Sequence, residues 1–444
     1  MNTLFEVEPN ISMKKSALLT LLCASVLVNF PASAENQDTA SANPPVAANK
    51  PGVTINVPGP KEMKNLMHGV AAWRVYEPVA QEMLIPYALK PVTKESLSRL
   101  ANFQFSAATQ ASFKEMFGQP DPLHINIDPN EAGGLDLHFL LQALDYTDPQ
   151  SNNHSRWDAL SGKVSYSKDL KHFTSVSDWP YFSQSFGSDV TLEMKQMHVV
   201  QEASYNQHYL ALGTAKIDIP ELKLDAGSES MRVLVKNLQT TSESIQHGKM
   251  LNLTIATSAS EIQTAGRTTG PAHMEFRVLN LNESAFADFM KEAIQLNKSE
   301  PSIEKRLAAS NKLMKGKLLP ILAPTSRFEM SDMSVVYQSM KASLNGAVWL
   351  EKAKQSDMTD LNILKQKLAT HFELSMPKAL ALKITRFIGS LQSDKNAEQQ
   401  ANAGLKGLIA GGMIKEEQDQ LSVVFDFMNG AVKVNGHEIN RPAK

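Results

Sequence analysis

The residues best suited to chemistry in this chain are its histidines, a group of glycines near the C-terminus and a few aspartates. His198 with His208, and His124 with His138, are pairs that could hold a metal ion through imidazole nitrogens. None of the eleven histidines falls in an H-x-x-x-H or H-E-x-x-H spacing. Within strands only residues of like parity share a face, so each pair would need a particular register. Exposed or hydrogen-bonded structural histidines are the plainer reading. Gly404, Gly407, Gly411 and Gly412 could cradle a phosphate, but they follow a helical rather than a strand pattern, which points to tight packing or a helix end. Asp145, Asp148 and Asp158 could do acid–base work, yet they sit near Pro149 and Asn152-Asn153, where aspartate serves turns and caps. The G-x-S-x-G, P-loop and G-x-G-x-x-G signatures are absent. No catalytic, cofactor-binding or metal-binding residue is assigned, and no cofactor is expected.

The elements that would have to position such residues change character along the chain. Residues 61–122 carry apolar side chains at helical spacing, with Leu66, Val70 and Trp73 and later Leu97 and Leu100, interrupted by Pro78, Pro86 and Pro91. From Leu123 the period falls to 2, and segments such as LHINID, VTLEMKQMHVV and MLNLTIAT predict an antiparallel meander over residues 123–282. Residues 283–444 mix helices and strands. Asn282 is placed to cap a helix whose Phe286, Phe289 and Met290 form an apolar stripe, and further helices are predicted over 303–322, from Pro377 to 388 and over 401–414. The C-terminal SVVFDFMNGAVKVNG alternates around Asn429-Gly430. A two-residue turn there opposes Phe427 to Val432, Asp426 to Lys433 and Phe425 to Val434, with the aromatic side buried. The expected fold is α+β: an elongated, mostly antiparallel sheet with helices packed on one face.

With 444 residues the chain exceeds one ordinary domain of roughly 100 to 200 residues. Its 42% hydrophobic content is that of a globular protein, and 44 basic against 46 acidic residues argue against a nucleic-acid or polybasic membrane partner. Residues 1–34 predict an export signal: Met13-Lys14-Lys15 opens it, residues 17–28 are apolar, and Ala32-Ser33-Ala34 supplies a cleavage site that would leave Glu35 first. The polar, acidic residues before Met13 suit no signal, so Met13 is the expected initiator. The apolar run is short of the roughly 20 residues that span a bilayer, which makes an uncleaved anchor the lesser alternative. Cys23, the one cysteine, lies inside the signal, and the Thr20-Leu21-Leu22 before it does not form a lipidation site. The Ala-, Asn- and Pro-rich residues 35–60 are expected to form a disordered or extended tether.

Two stretches carry a family resemblance. GPAHMEFRVLNLNESAFADFM, residues 270–290, and the C-terminal GLKGLIAGGMIKEEQDQLSVVFDFMNGAVKVNG resemble the YdgA-like family of bacterial envelope proteins of unknown function. In that family a Gly-Pro introduces a strand ending in Asn-Leu-Asp at a helix start. Asn280-Leu281-Asn282 matches it with Asn in place of Asp, and both residue types cap helices. The closing helix, strand, turn and strand ending on Asn-Gly are matched by Gly407, Gly430, Asn435 and Gly436. The resemblance covers roughly residues 215–439. It implies an envelope location and self-association, and brings no reaction, cofactor or catalytic residues. Members typically carry a longer uncleaved anchor, from which the Ala-Ser-Ala site departs.

The leading expectation is a non-enzymatic periplasmic protein, a binding or scaffold module. Two alternatives stand beside it. In one, the apolar residues Phe286, Phe289, Met290, Leu318, Leu319 and Leu322, most simply core between helix and sheet, border a groove for an acyl chain. The other is an envelope hydrolase without a recognised signature. No stretch outside the signal is apolar enough to span a bilayer, and an envelope lipid or protein is the expected class of partner.

Overall fold

The change of apolar period near residue 123 becomes a change from helices to sheet in the computed structural model, which describes residues 70–187, 190–227, 232–264, 266–299, 303–391 and 397–439. The expected signal (1–34), the tether (35–60) and the start of the helical segment (61–69) lie outside these residues. Helix α1 (Ala71–Pro78) runs directly into a π turn (Val79–Leu84) and a 3-10 turn (Ile85–Tyr87) at the predicted prolines. Helix α2 (Lys94–Ala101) starts with a reciprocal cap between Thr93 and Ser96. Helix α3 (Ala107–Phe117) is capped by Ser106 and ends at Gly118, whose φ of +75° suits the left-handed cap.

The strands follow as β1 (Leu123–Pro129), β2 (Leu135–Leu141), β3 (Leu144–Thr147), β4 (His154–Trp157) and β5 (Leu160–Tyr166). Four long strands come next: β6 (His172–Phe186), β7 (Val190–Tyr205), β8 (Ala211–Asp225) and β9 (Val233–His247). Each has 15 or 16 residues and so reaches about 50 Å. After them come β10 (Met250–Ala259), β11 (Glu261–Thr264), β12 (Arg267–Thr269) and β13 (Ala272–Asn282). A helical hairpin, α4 (Glu283–Ser299) and α5 (Ile303–Ile321), precedes β14 (Leu322–Tyr337) and β15 (Met340–Leu350). Helix α6 (Leu361–Lys367) leads into β16 (Leu368–Pro377), followed by a second hairpin of α7 (Lys378–Leu391) and α8 (Ala397–Ala410). The chain closes with β17 (Lys415–Glu417), β18 (Gln420–Met428), β19 (Ala431–Val434) and β20 (His437–Glu438).

These 20 strands form one sheet, and every pairing is antiparallel. Its main order is β1-β2-β5-β6-β7-β8-β9-β10-β13-β14-β15-β16-β18-β19-β20. The expected α+β architecture, with helices on an antiparallel meander, is therefore present. The terminal hairpin has the expected register, and Asn429 and Gly430 both adopt positive φ, as a two-residue hairpin turn of this type requires.

Two cores anchor the helices. In the first, α1 and α3 bury Phe113 and Val75 against Trp157, Phe182 and Met194, with Val199 and Ile217 in the same cluster. Edge-to-face contacts run from Phe105 through Phe113 and Phe117 to Trp157. In the second, the α4–α5 hairpin buries Ala287, Phe289 and Met290 against Leu251 and Leu281. Asn282 Oδ1 accepts from Ala285 N at 3.0 Å, the cap expected from the sequence. Leu318, expected in this core, is instead 43% exposed.

Candidate functional site

The side chains singled out for chemistry are dispersed, and most are engaged. His198 pairs with Asp178 at 2.7 Å in mid-sheet, while His208 lies in the β7–β8 turn, 3.8 Å from Glu283. His124 and His138 share a face of the β1–β2 ladder as diagonal neighbours, and His124 Nε2 contacts Gln142 Nε2 at 3.1 Å. Asp145 meets His154 at 2.8 Å. Asp148 closes a turn by accepting from Gln150 N, Ser151 N and Ser151 Oγ at 2.8–3.0 Å. Burial pushes its carboxyl up, but those donors and the Arg74 guanidinium outweigh it and hold Asp148 below the usual carboxylate range. Asp158 carries its turn through the backbone, its carbonyl accepting from Trp179 Nε1 at 3.1 Å. Among the described residues no three His, Cys, Asp or Glu side chains come together as a metal site.

Of the glycine group, Gly404 and Gly407 lie inside α8 and Gly411 and Gly412 form its end, one of the two structural readings expected. Met413 N donates to Leu408 O and Gly412 N to Ile409 O, and Gly412 takes φ of +70°. That is the six-to-one and five-to-two bonding of a Schellman cap on α8.

Two polar clusters were not anticipated. Arg74 donates to Ser112 at 2.9 Å and Glu115 at 3.0 Å, and its Nη1 donates to Tyr146 at 3.2 Å and lies 3.5 Å from Asp148. Glu283 is 2% exposed and accepts from Asn206 of the β7–β8 turn and from Gln246 at the end of β9. Both clusters clamp elements together, with their groups committed to one another. A cleft of about 240 Å³ opens between Met83, Phe103, Phe105 and β1. Its polar groups Asp121, His124 and Asn126 are exposed at the mouth.

The feature without an internal partner is apolar. Register places side chains in three cross-strand rows on one face of β13, β14, β15, β16 and β18. The first is Met274, Met333, Leu344, Leu374 and Val423. The second is Phe276, Met330, Gly346, Phe372, Phe425 and Val434, and the third Val278, Phe328, Val348, Thr370, Phe427 and Val432. One irregularity in β14 near Ser331 keeps Met330 and Met333 on the same face. At about 4.8 Å per strand the rows are roughly 20–25 Å wide.

Among the described residues the helices flank this face without capping it. A row from Val199 and Ile217, in the first core, passes through Thr240 and Thr257 to Met274, so helices and apolar rows share one side. Among the described residues only Val278 of the rows reaches a buried cluster, that of the α4–α5 hairpin. At the other end of these strands Lys383 of α7 stands 5.7 Å over the Tyr337 ring. Between the two hairpins Phe328 is 39% exposed, Met333 and Phe425 are each 37% exposed and Val335 is 36% exposed. Phe425 was expected to be buried. Alternation identifies the apolar side of a strand, but a strand pattern says nothing about what lies above it. The opposite face is charged, with Arg277 on Glu275 at 2.6 Å, Arg327 on Glu329 at 2.6 Å and His371 on Asp426 at 2.7 Å.

Among the described residues the fold is a single antiparallel sheet with an open apolar face and a charged back. The chain belongs to the bacterial family of unknown function DUF945, which matches residues 99–442. That match reaches further toward the N-terminus than the motifs at 270–290 and the C-terminus. No curated protein and no solved structure matches the chain. The motif residues are structural. A Cβ on Gly270 would stand 2.6 Å from Ser260 O, and Asn435 Oδ1 accepts from Val424 N while its Nδ2 donates to Met413 O. No helix among the described residues is long and apolar enough to cross a membrane.

Proposed function

We propose that this is a non-catalytic protein of the bacterial cell envelope, exported to the periplasm, which holds a lipid acyl chain on the open apolar face. One observation carries the reading: three adjoining apolar rows with Phe328, Met333 and Phe425 left open to solvent. Contiguous apolar patches beyond a few hundred Å² are rare on monomeric soluble proteins and mark places that something else covers. The floor offers one polar side chain, Thr370, and its Oγ1 is itself buried. A protein partner brings backbone and rim groups that need hydrogen bonds, whereas an alkyl chain brings none. Met274, Met330 and Met333 give the floor side chains that adapt to a flexible ligand.

The envelope address rests on the signal pattern over 13–34, and N-terminal sequencing should begin at Glu35. A mature chain that retains Met13 would overturn cleavage. We also hold the chain to be YdgA-like, on the Gly-Pro strand and the closing Asn-Gly hairpin. Native mass spectrometry of the purified full chain tests the ligand. Co-purified lipid is expected, and it should be lost from Phe328→Asp/Phe425→Asp while secondary structure persists. Wild-type protein that carries no lipid and takes up no fluorescent fatty acid would overturn the acyl-chain reading. Turnover in an esterase, peptidase and phosphatase screen would overturn the non-catalytic one.

A further inference from the structure

We infer that helix α5 is the surface through which the protein touches an anionic lipid bilayer. The chain as a whole is nearly balanced in charge, yet α5 carries Lys305, Arg306, Lys312, Lys315 and Lys317 against a single carboxylate, Glu304. Lys317 is bound to Glu292 of α4 at 2.5 Å. Lys312 and Lys315 are exposed, stand one turn apart, and have no ion-pair partner among the described residues. Leu318 continues the same i, i+3 row at 43% exposure. The other side of α5 is occupied, since Leu313, Met314 and Ile321 pack into the α4–α5 core.

An outward helix face that combines unpaired cations with an exposed leucine suits a membrane surface. The cations meet lipid phosphates and the apolar side chain enters the headgroup boundary. The α4–α5 hairpin also borders the apolar rows through Val278, so this contact would bring the open face to the membrane. The inference goes beyond the acyl-chain reading and rests on it only for the envelope address.

The test is co-sedimentation of the full chain with vesicles of neutral phosphatidylcholine and with vesicles containing phosphatidylglycerol. Binding is expected to the anionic vesicles alone and should be lost in 0.5 M salt, where the Debye length falls to roughly 4 Å. Lys312→Gln/Lys315→Gln should weaken it by roughly thirtyfold, at about tenfold per 1.4 kcal/mol and ~1 kcal/mol per surface cation. Equal partition into neutral and anionic vesicles, or an unchanged double variant, would overturn the assignment. Equal binding to soluble polyglutamate that is insensitive to Leu318→Ser would transfer the face to an acidic protein and likewise overturn it. Fatty-acid uptake should be unchanged in the lysine variant and lost in Phe328→Asp/Phe425→Asp, so failure of either proposal is seen separately.

Discussion

The Phe372 ring lies across the backbone of Gly346 on the neighbouring strand, so closely that a Cβ at position 346 would stand 2.0 Å from the ring. The missing side chain lets an aromatic ring lie flat along the sheet and fill the space that a residue on β15 would occupy. Gly346→Ala must therefore turn Phe372 out of its place. The expected loss is about 1–3 kcal/mol, the usual range for overpacking, read from urea denaturation. A variant as stable as the wild type would show that the ring rests on Gly346 without depending on it.

Phe425 and Phe113 separate the two kinds of apolar surface in this fold. Phe113 is fully buried beneath α1 and α3, and Phe113→Ala should cost about 3–5 kcal/mol. Phe425, on the open rows at 37% exposure, gives up less contact, and Phe425→Ala should cost about 1 kcal/mol while abolishing lipid retention. Comparable losses for the two variants would mean that the rows are a core and that the face is closed in solution.

Local chemistry was legible in the sequence and coverage was not. The Asn429-Gly430 turn, the Asn282 cap and the helix end at Gly412 each follow from a few neighbouring residues whose backbone needs are specific. Glu283 could not be read in this way. Its partners Asn206 and Gln246 lie 77 and 37 residues away and meet it only because the β7–β8 turn and the end of β9 converge on the start of α4. The same holds for the open face. Alternation in β14 and β18 marks which side is apolar, but the helices stand at the ends of those strands, and no residue in the strands records that.

Thr370 is the polar exception in the third row, between Val348 and Phe427. Its hydroxyl oxygen is buried and has no hydrogen-bond partner. A buried group left unpaired forfeits about 1–3 kcal/mol, so Thr370→Val should raise stability by about 1 kcal/mol, seen as a higher urea midpoint at unchanged slope. The same change makes the floor wholly apolar, and fatty-acid uptake should be retained. A destabilised Thr370→Val protein would mean that the hydroxyl has a partner after all, such as an ordered water.

Asp148 should give the fold a defined acid sensitivity. Its side chain is 12% exposed, and although burial opposes the charge, the Ser151 and Gln150 donors and Arg74 leave its folded pKa below the ordinary value. A depressed carboxylate stabilises the fold at every pH above the unfolded value of about 3.9, and that contribution disappears as pH falls through the lower folded value. Asp148→Asn keeps the shape of the side chain but removes its charge, and should cost about 1.5–3 kcal/mol at pH 7, the range for hydrogen bonds to a charged group. Between pH 7 and pH 5 the gap between wild type and variant should stay constant, because the aspartate is ionised in both folded and unfolded chains. Below about pH 4 the unfolded chain takes up the proton first and the gap should narrow. Urea midpoints of the two proteins at pH 7, 5 and 3 check the sign. A gap that widens toward acid would mean that Asp148 is bound in its protonated form, with Arg74 serving Glu115 alone.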